Sequence, residues 1–366
     1  MTVAQGDEAR TVKVLIVEDS PVIRDFLVHI LEADPQTRIV ATAKDGKEAL
    51  EAVETFKPDV VTMDINMPRM NGFEATRRIM ETQPTPIVIV SGSWDPREVE
   101  TAMRALEAGA LAAIPRPAGI GHPEHARDAR ELVETLRLMS EVKVVRRIPR
   151  RPTEEAVLRP PLPEVRQPDF PERAIQVVAI GASTGGPPVL STILSGLPRD
   201  FSIPILVVQH MAAGFIQGFA EWLHHATGFP VQLAAHNDRM LPGHAYIAPD
   251  GFQMKVAPGG RISLAADDPE NGLRPSVSCL FRSVAETYGE NAAGTLLTGM
   301  GRDGADELLL MKQQGAITVA QDEATSVVFG MPGEAVRLHA ASFVLPPEQI
   351  ASMLARLADR NRKGGV

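Results

Sequence analysis

A single cysteine, Cys279, excludes any intramolecular disulfide and any cysteine knuckle for a metal. Its setting in the apolar stretch 277–284 reads as a small packed side chain rather than a nucleophile. No apolar run approaches the ~20 residues that span a bilayer, and the chain does not open with a basic start and apolar core. Direct membrane insertion is therefore not expected, and a cytoplasmic protein is. Positive charge is in deficit: the formal net charge is -9 and the pI about 5.6, so no overall basic field draws in phosphates. Nucleic acid is not an expected partner. No internal repeat is present.

What the 366 residues do contain is two α/β series. In the first, strand-like runs at 12–17, 38–43, 59–63, 86–90 and 111–114 alternate with helical patterns at 22–32, 47–56, 72–81 and 97–108. A last helix fits 124–141, where Ala129, Leu132, Val133, Leu136 and Met139 recur at helical spacing. Such alternation implies a parallel sheet covered on both faces. Composition then shifts. Prolines crowd 149–171 among several arginines, which removes amide donors and favours solvated, extended backbone. The second series begins at 175, with strands at 175–180, 205–208, 231–235, 294–297 and 316–319 and helices at 215–226, 277–288, 305–314 and 347–360. Extra short strands are expected between 245 and 264. The chain divides into 11–140, a linker 141–173, and 174–366.

In the first series, acids and a hydroxyl sit at the ends of predicted parallel strands, where doubly wound sheets place their sites. Glu18 and Asp19 follow strand one, Asp64 follows strand three in Met63-Asp64-Ile65-Asn66-Met67-Pro68, and Ser91 follows strand four. Clustered carboxylates repel unless a hard cation joins them, and Mg²⁺ suits carboxylates together with phosphate oxygens. A carboxylate can also accept a phosphoryl group. Alone, each acid reads equally as a turn former.

Together with Asn71-Gly72, these residues resemble the response-regulator receiver family over about 11–140, which implies a flavodoxin-like fold. The resemblance implies that Asp64 is the phosphoacceptor and that Ser91 senses the phosphoryl group. It also implies Mg²⁺ held by Asp19, Asp64 and Asn66 with help from Glu18, and a histidine kinase as phosphodonor. One position departs from the family: its usual Lys-Pro reads Arg116-Pro117 here, and the aromatic switch position is Ala113. A guanidinium is a longer planar fork than an ammonium. It can still pair with phosphate, and the movement it transmits stays open.

In the second series, Val178-Ala179-Ile180 runs into Gly181-Ala182-Ser183-Thr184-Gly185-Gly186 and then a helix after Pro187-Pro188. Gly-x-Ser-x-Gly at a strand-to-helix turn is a nucleophile elbow, which lifts Ser183 clear of the sheet and aims helix-start amides at a developing oxyanion. A dinucleotide-binding turn competes, weakened by the missing second glycine of Gly-x-Gly-x-x-Gly. His210 ends the next strand, beside that elbow. Asp303 lies in Gly299-Met300-Gly301-Arg302-Asp303-Gly304, either as a helix cap or as the third member of a triad. The order Ser183, His210, Asp303 differs from the chymotrypsin, subtilisin and α/β-hydrolase orders.

That order, with Gln209-His210-Met211, Arg274-Pro275-Ser276-Val277, Leu297-Thr298-Gly299-Met300-Gly301 and Gly330-Met331-Pro332, resembles the chemotaxis protein-glutamate methylesterases. The resemblance implies two doubly wound α/β domains, a receiver and a parallel-sheet serine esterase. The implied activity is hydrolysis of γ-glutamyl methyl esters on methyl-accepting chemoreceptors, with deamidation of receptor glutamines. It makes the amides of Thr184 and Met300 oxyanion donors, and the esterase is expected to need no cofactor. The alternative is a phosphorylation-responsive adaptor with an inactive esterase domain.

Overall fold

The computed structural model describes residues 11–92, 96–142, 144 and 174–363. The linker read at 141–173 therefore lies, apart from 141, 142 and 144, outside the described residues. In chain order the first domain contains β1 (Val12–Val17), α1 (Pro21–Glu32), β2 (Thr37–Ala43), α2 (Gly46–Phe56), β3 (Val60–Met63), α3 (Gly72–Thr82), β4 (Ile87–Ser91), α4 (Pro96–Ala108), β5 (Ala112–Pro115) and α5 (His125–Ser140). Its strands are all parallel, in the order β2-β1-β3-β4-β5.

The strands read as unbroken apolar runs because both sheet faces are buried. Val14 and Ile16 of β1 join Leu27 and Leu31 of α1 and Leu132 and Leu136 of α5. Leu15 and Val17 point the other way, to Val53 of α2, Ile79 of α3 and Met103 of α4. Side-chain caps fix two helix starts: Asp45 accepts from the amides of Lys47 and Glu48, and Asn71 from that of Glu74.

The second domain runs β6 (Val177–Ala182), α6 (Gly186–Ser195), β7 (Ile205–Gln209), α7 (Ile216–Thr227), β8 (Val231–Leu233), β9 (Ala245–Ile247), β10 (Gln253–Ala257), β11 (Arg261–Ala265), α8 (Val277–Tyr288), β12 (Ala292–Leu296), α9 (Ala305–Gln313), β13 (Ile317–Gln321), α10 (Met331–Arg337), β14 (Phe343–Leu345) and α11 (Pro347–Lys363). Seven parallel strands take the order β14-β13-β12-β6-β7-β9-β8, and β10-β11 is a separate antiparallel hairpin. From β6 the chain steps to β7 on one side and later returns to β12 on the other. The strand order thus reverses beside β6, and such a switch point opens a crevice at the carboxyl ends of the strands. The short elements α10 and β14 were not foreseen.

The first domain packs onto this crevice. Helix α4 lies on α6 and α7. Its Met103 and Leu106 share one apolar cluster with Leu190 and Phe219, while Met300 and Val327 pack against the cluster that holds Ile114 and Leu132. No helix among the described residues is long and apolar enough to cross a membrane.

Candidate active site

Parallel pairing of β6 with β7 sets Ala182 opposite Gln209, so Ser183 and His210 are the first residues past two adjacent strand ends. The His210 amide donates to the Ala182 carbonyl at 2.9 Å. The turn after Ser183 needs its glycines: Gly185 has φ +80°, and a β-carbon on Gly186 would lie 2.1 Å from the Gln209 side-chain oxygen. Gln209, 2% exposed, donates from Nε2 to the carbonyls of Ser183 (2.9 Å) and His210 (2.8 Å), tying the two site loops together.

Asp303, reached from β12 on the other side of β6, is 4% exposed. Its Oδ2 lies 3.0 Å from His210 Nε2. Despite this closeness, Nε2 completes no straight hydrogen bond. The carboxylate is seated on the start of α8: Oδ1 accepts from the Ser276 hydroxyl (2.8 Å) and the Ser278 amide (3.1 Å), and Oδ2 from the Val277 amide (2.6 Å). Helix N-termini favour anions for this reason. Burial alone would raise its pKa, but His210 and the donations from Ser278 and Val277 outweigh burial and hold it down to about 2.

Ser183, Thr184, His210 and Met300 line one cavity of about 290 Å³, whose opposite wall is the first domain's Leu106, Ala113, Glu131 and Leu138. The Thr184 peptide is steadied by the Thr298 hydroxyl, which donates to its carbonyl at 2.9 Å. His224 and His225 sit in α7 and bond to backbone carbonyls of Phe229 and Glu221, so both are structural. Cys279 is buried; its thiol donates to Glu270, and burial, then that carboxylate, pushes its pKa up to about 12.

Two family matches divide the chain: residues 14–123 match the response regulator receiver domain and 178–354 the CheB methylesterase. A protein-glutamate methylesterase/protein-glutamine glutaminase of Nitrosospira multiformis is 57% identical over 94% of this chain and 97% of its own length. The chain belongs to the CheB methylesterase family. It is 56% identical to the enzyme of that name from Syntrophus aciditrophicus, over 95% of this chain and 98% of the other. A Geobacter metallireducens relative is also 56% identical, over 95% and 99%.

In the receiver domain of this CheB-family chain, the acids converge as the sequence implies. Glu18, Asp19 and Asp64 each present an oxygen within 4.8 Å of the others. Glu18 and Asp64 are buried, Asp19 exposed. Burial, then the Asp64 charge, pushes the Glu18 pKa up to about 7 against the pull of Arg116. An all-oxygen donor set with surplus negative charge fits a hard divalent cation. Asn66 follows on the exposed loop two residues after Asp64. Ser91, buried, ends β4, and Arg116 reaches across with Nη2 3.2 Å from Glu18 and 3.8 Å from Asp64.

Three contributors escaped the reading of the sequence: Gln209, Ser276 and Ser278. Ser276 stands in a motif shared with the family and precedes a predicted helix, a signal for a cap. That its hydroxyl also serves Asp303, 27 residues on, has no local signature.

Proposed function

We propose that this chain is a phosphorylation-controlled protein-glutamate methylesterase, with a receiver at 11–140, a linker at 141–173 and an esterase at 174–366. Ser183 Oγ attacks the ester carbonyl of a methylated glutamate while His210 takes its proton. With Nε2 turned to Asp303, Nδ1 is the ring nitrogen left for that task, the reverse of the chymotrypsin arrangement. Asp303 stabilises the imidazolium, and the amides of Thr184 and Met300 receive the oxyanion. Collapse expels methanol, protonated by His210, and water then frees the glutamate carboxylate and restores Ser183. The same steps on a glutamine side chain expel ammonia.

The observation that carries this reading is the His210–Asp303 contact at 3.0 Å at the strand edge that also bears Ser183. An inactive adaptor is the weaker reading, because the α8 donors already satisfy the Asp303 carboxylate, and a purely structural role gives no reason for His210 to be turned to it beside Ser183. The substrates are methylated side chains of chemoreceptors, met in the cytoplasm. Methanol release from methylated receptor is the test. Ser183→Ala should lower it at least ~10⁴-fold. A variant releasing methanol at the wild-type rate ends the proposal.

Regulation follows from the shared cavity. With α4, β5 and α5 facing the half-buried Ser183 across one cavity, the docked first domain narrows the approach of a receptor segment to the nucleophile. Phosphorylation of Asp64 by a histidine kinase releases this docking. Asp19, Asp64 and the Asn66 carbonyl, beside Glu18, would hold Mg²⁺, which would neutralise charge between the carboxylates and the incoming phosphoryl group. Ser91 and Arg116 then close on that group.

A further inference from the structure

Arg116 brings a larger cation to the phosphorylation site than the lysine usual in receivers, and the space it fills has a definite origin. Gly92 follows Ser91 at the end of β4. A β-carbon built on Gly92 would lie 2.4 Å from Arg116 Nη1 and 2.7 Å from its Cζ. Unbonded atoms do not approach so closely, so a side chain at 92 and the guanidinium cannot both hold these positions. Backbone conformation does not account for the glycine, since Gly92 is not one of the residues with positive φ. The volume does.

The guanidinium that fills it is well anchored. Its Nη2 pairs with Glu18 at 3.2 Å and lies 3.8 Å from Asp64, and the Arg116 amide donates to the Ser91 carbonyl at 2.7 Å. Its Nε is buried without a hydrogen-bond partner, leaving one donor of the fork unspent. Arg116 also lines the cavity of about 800 Å³ between the domains, whose far wall includes His210. A shift of this side chain is therefore felt at the interface as well as at the acids.

We propose that Gly92 and Arg116 are a compensating pair: the glycine vacates the volume that lets a planar guanidinium, in place of an ammonium, receive the phosphoryl group on Asp64. The inference rests on the reading of Asp64 as phosphoacceptor. A guanidinium grips two phosphoryl oxygens side by side, whereas an ammonium acts as a point charge. Because the clash falls on the far end of a flexible side chain, a β-carbon at 92 leaves the fold intact and displaces the guanidinium instead.

The test is a double-mutant cycle on the full chain: wild type, Gly92→Ala, Arg116→Lys and the double variant, with Gly92→Ser as a second way of adding the β-carbon. The probe is beryllium trifluoride with Mg²⁺, a stable phosphoryl mimic, titrated by calorimetry; melting temperatures without the probe check folding. Gly92→Ala should weaken probe binding roughly tenfold, and adding Arg116→Lys to that background should recover most of the loss, because coupled neighbours are not additive. Unchanged binding in Gly92→Ala and Gly92→Ser overturns the pair, as does a double variant no better than Gly92→Ala. If the wild type binds no probe and takes no phosphoryl group at Asp64, the receiver reading falls and the pair with it. If the wild type binds and the cycle is additive, the pair alone falls.

Discussion

Asp303→Asn exchanges one oxygen for an NH₂ group and leaves side-chain volume nearly unchanged. Each carboxylate oxygen accepts from a backbone amide, Oδ1 from Ser278 at 3.1 Å and Oδ2 from Val277 at 2.6 Å. Whichever way asparagine is flipped, its NH₂ therefore faces an amide donor. The looser side is Oδ1, where the Ser276 hydroxyl can turn round to accept. Losing the charge-assisted bonds and the anion at a helix start costs about 3 kcal/mol. The depressed pKa, to which His210 contributes more than the helix-start donors, gives a figure of the same order for the whole setting. A carboxyl held at about 2 rather than its ordinary 3.8 corresponds to roughly 2.5 kcal/mol of stability. The folded value lies below the unfolded one, so this contribution is present above about pH 3.8 and is lost as pH falls through about 2. Urea unfolding should thus separate wild type from variant by about 3 kcal/mol at pH 7, with the gap closing in acid. In methanol-release assays kcat should fall by about 10³–10⁴, since the imidazolium loses its counter-charge, with KM little changed. A variant of wild-type stability with kcat within about tenfold of wild type would refute the cradle argument.

Ser276→Ala removes both a donor to Asp303 and the cap of α8, so it should cost about 2 kcal/mol in unfolding experiments and lower kcat by roughly tenfold; an unaltered kcat would make Ser276 a cap alone. Asp64→Asn should abolish the rise in esterase rate on adding a phosphodonor, and chelating Mg²⁺ should do the same to wild type; a persistent rise places the switch elsewhere. Leu138→Asp puts a charge on an apolar side chain, 41% exposed, at the wall opposite Ser183. Docking should weaken by about 1–2 kcal/mol and the rate without phosphodonor rise about fivefold to thirtyfold. An unchanged basal rate would mean that this wall does not restrain the site.

Long, strongly patterned segments were legible from residues alone. The buried strands announce themselves as short apolar runs, and α8 falls at 277–288 in both sequence and structure, because its apolar face and serine cap are local features. Weak elements were not legible. β14 is three residues long, and α10 has seven, with a proline and a glycine among its first three, so neither carries enough periodicity to stand out. β8, expected at 231–235, stops at Leu233 on the sheet edge, where no neighbour on the outer side prolongs it. The same divide runs through the sites. Ser183, His210 and Asp64 each follow a strand end, and Asp303 lies in the glycine-rich loop before α9, places that pattern reveals. Gln209, Ser276 and Gly92 matter through partners brought in by folding.

By itself, the order of residues determined the α/β class, the two series of strands, and which side chains emerge at their carboxyl ends, since these depend on apolar spacing and turn chemistry within a few residues. Only the tertiary structure decided that β12 lies beside β6, bringing Asp303 to His210, that the receiver lies against the Ser183 crevice, and that Arg116 occupies the volume left by Gly92. Those outcomes depend on contacts between segments far apart in the chain, whose energies are set by shape and burial that no local pattern encodes.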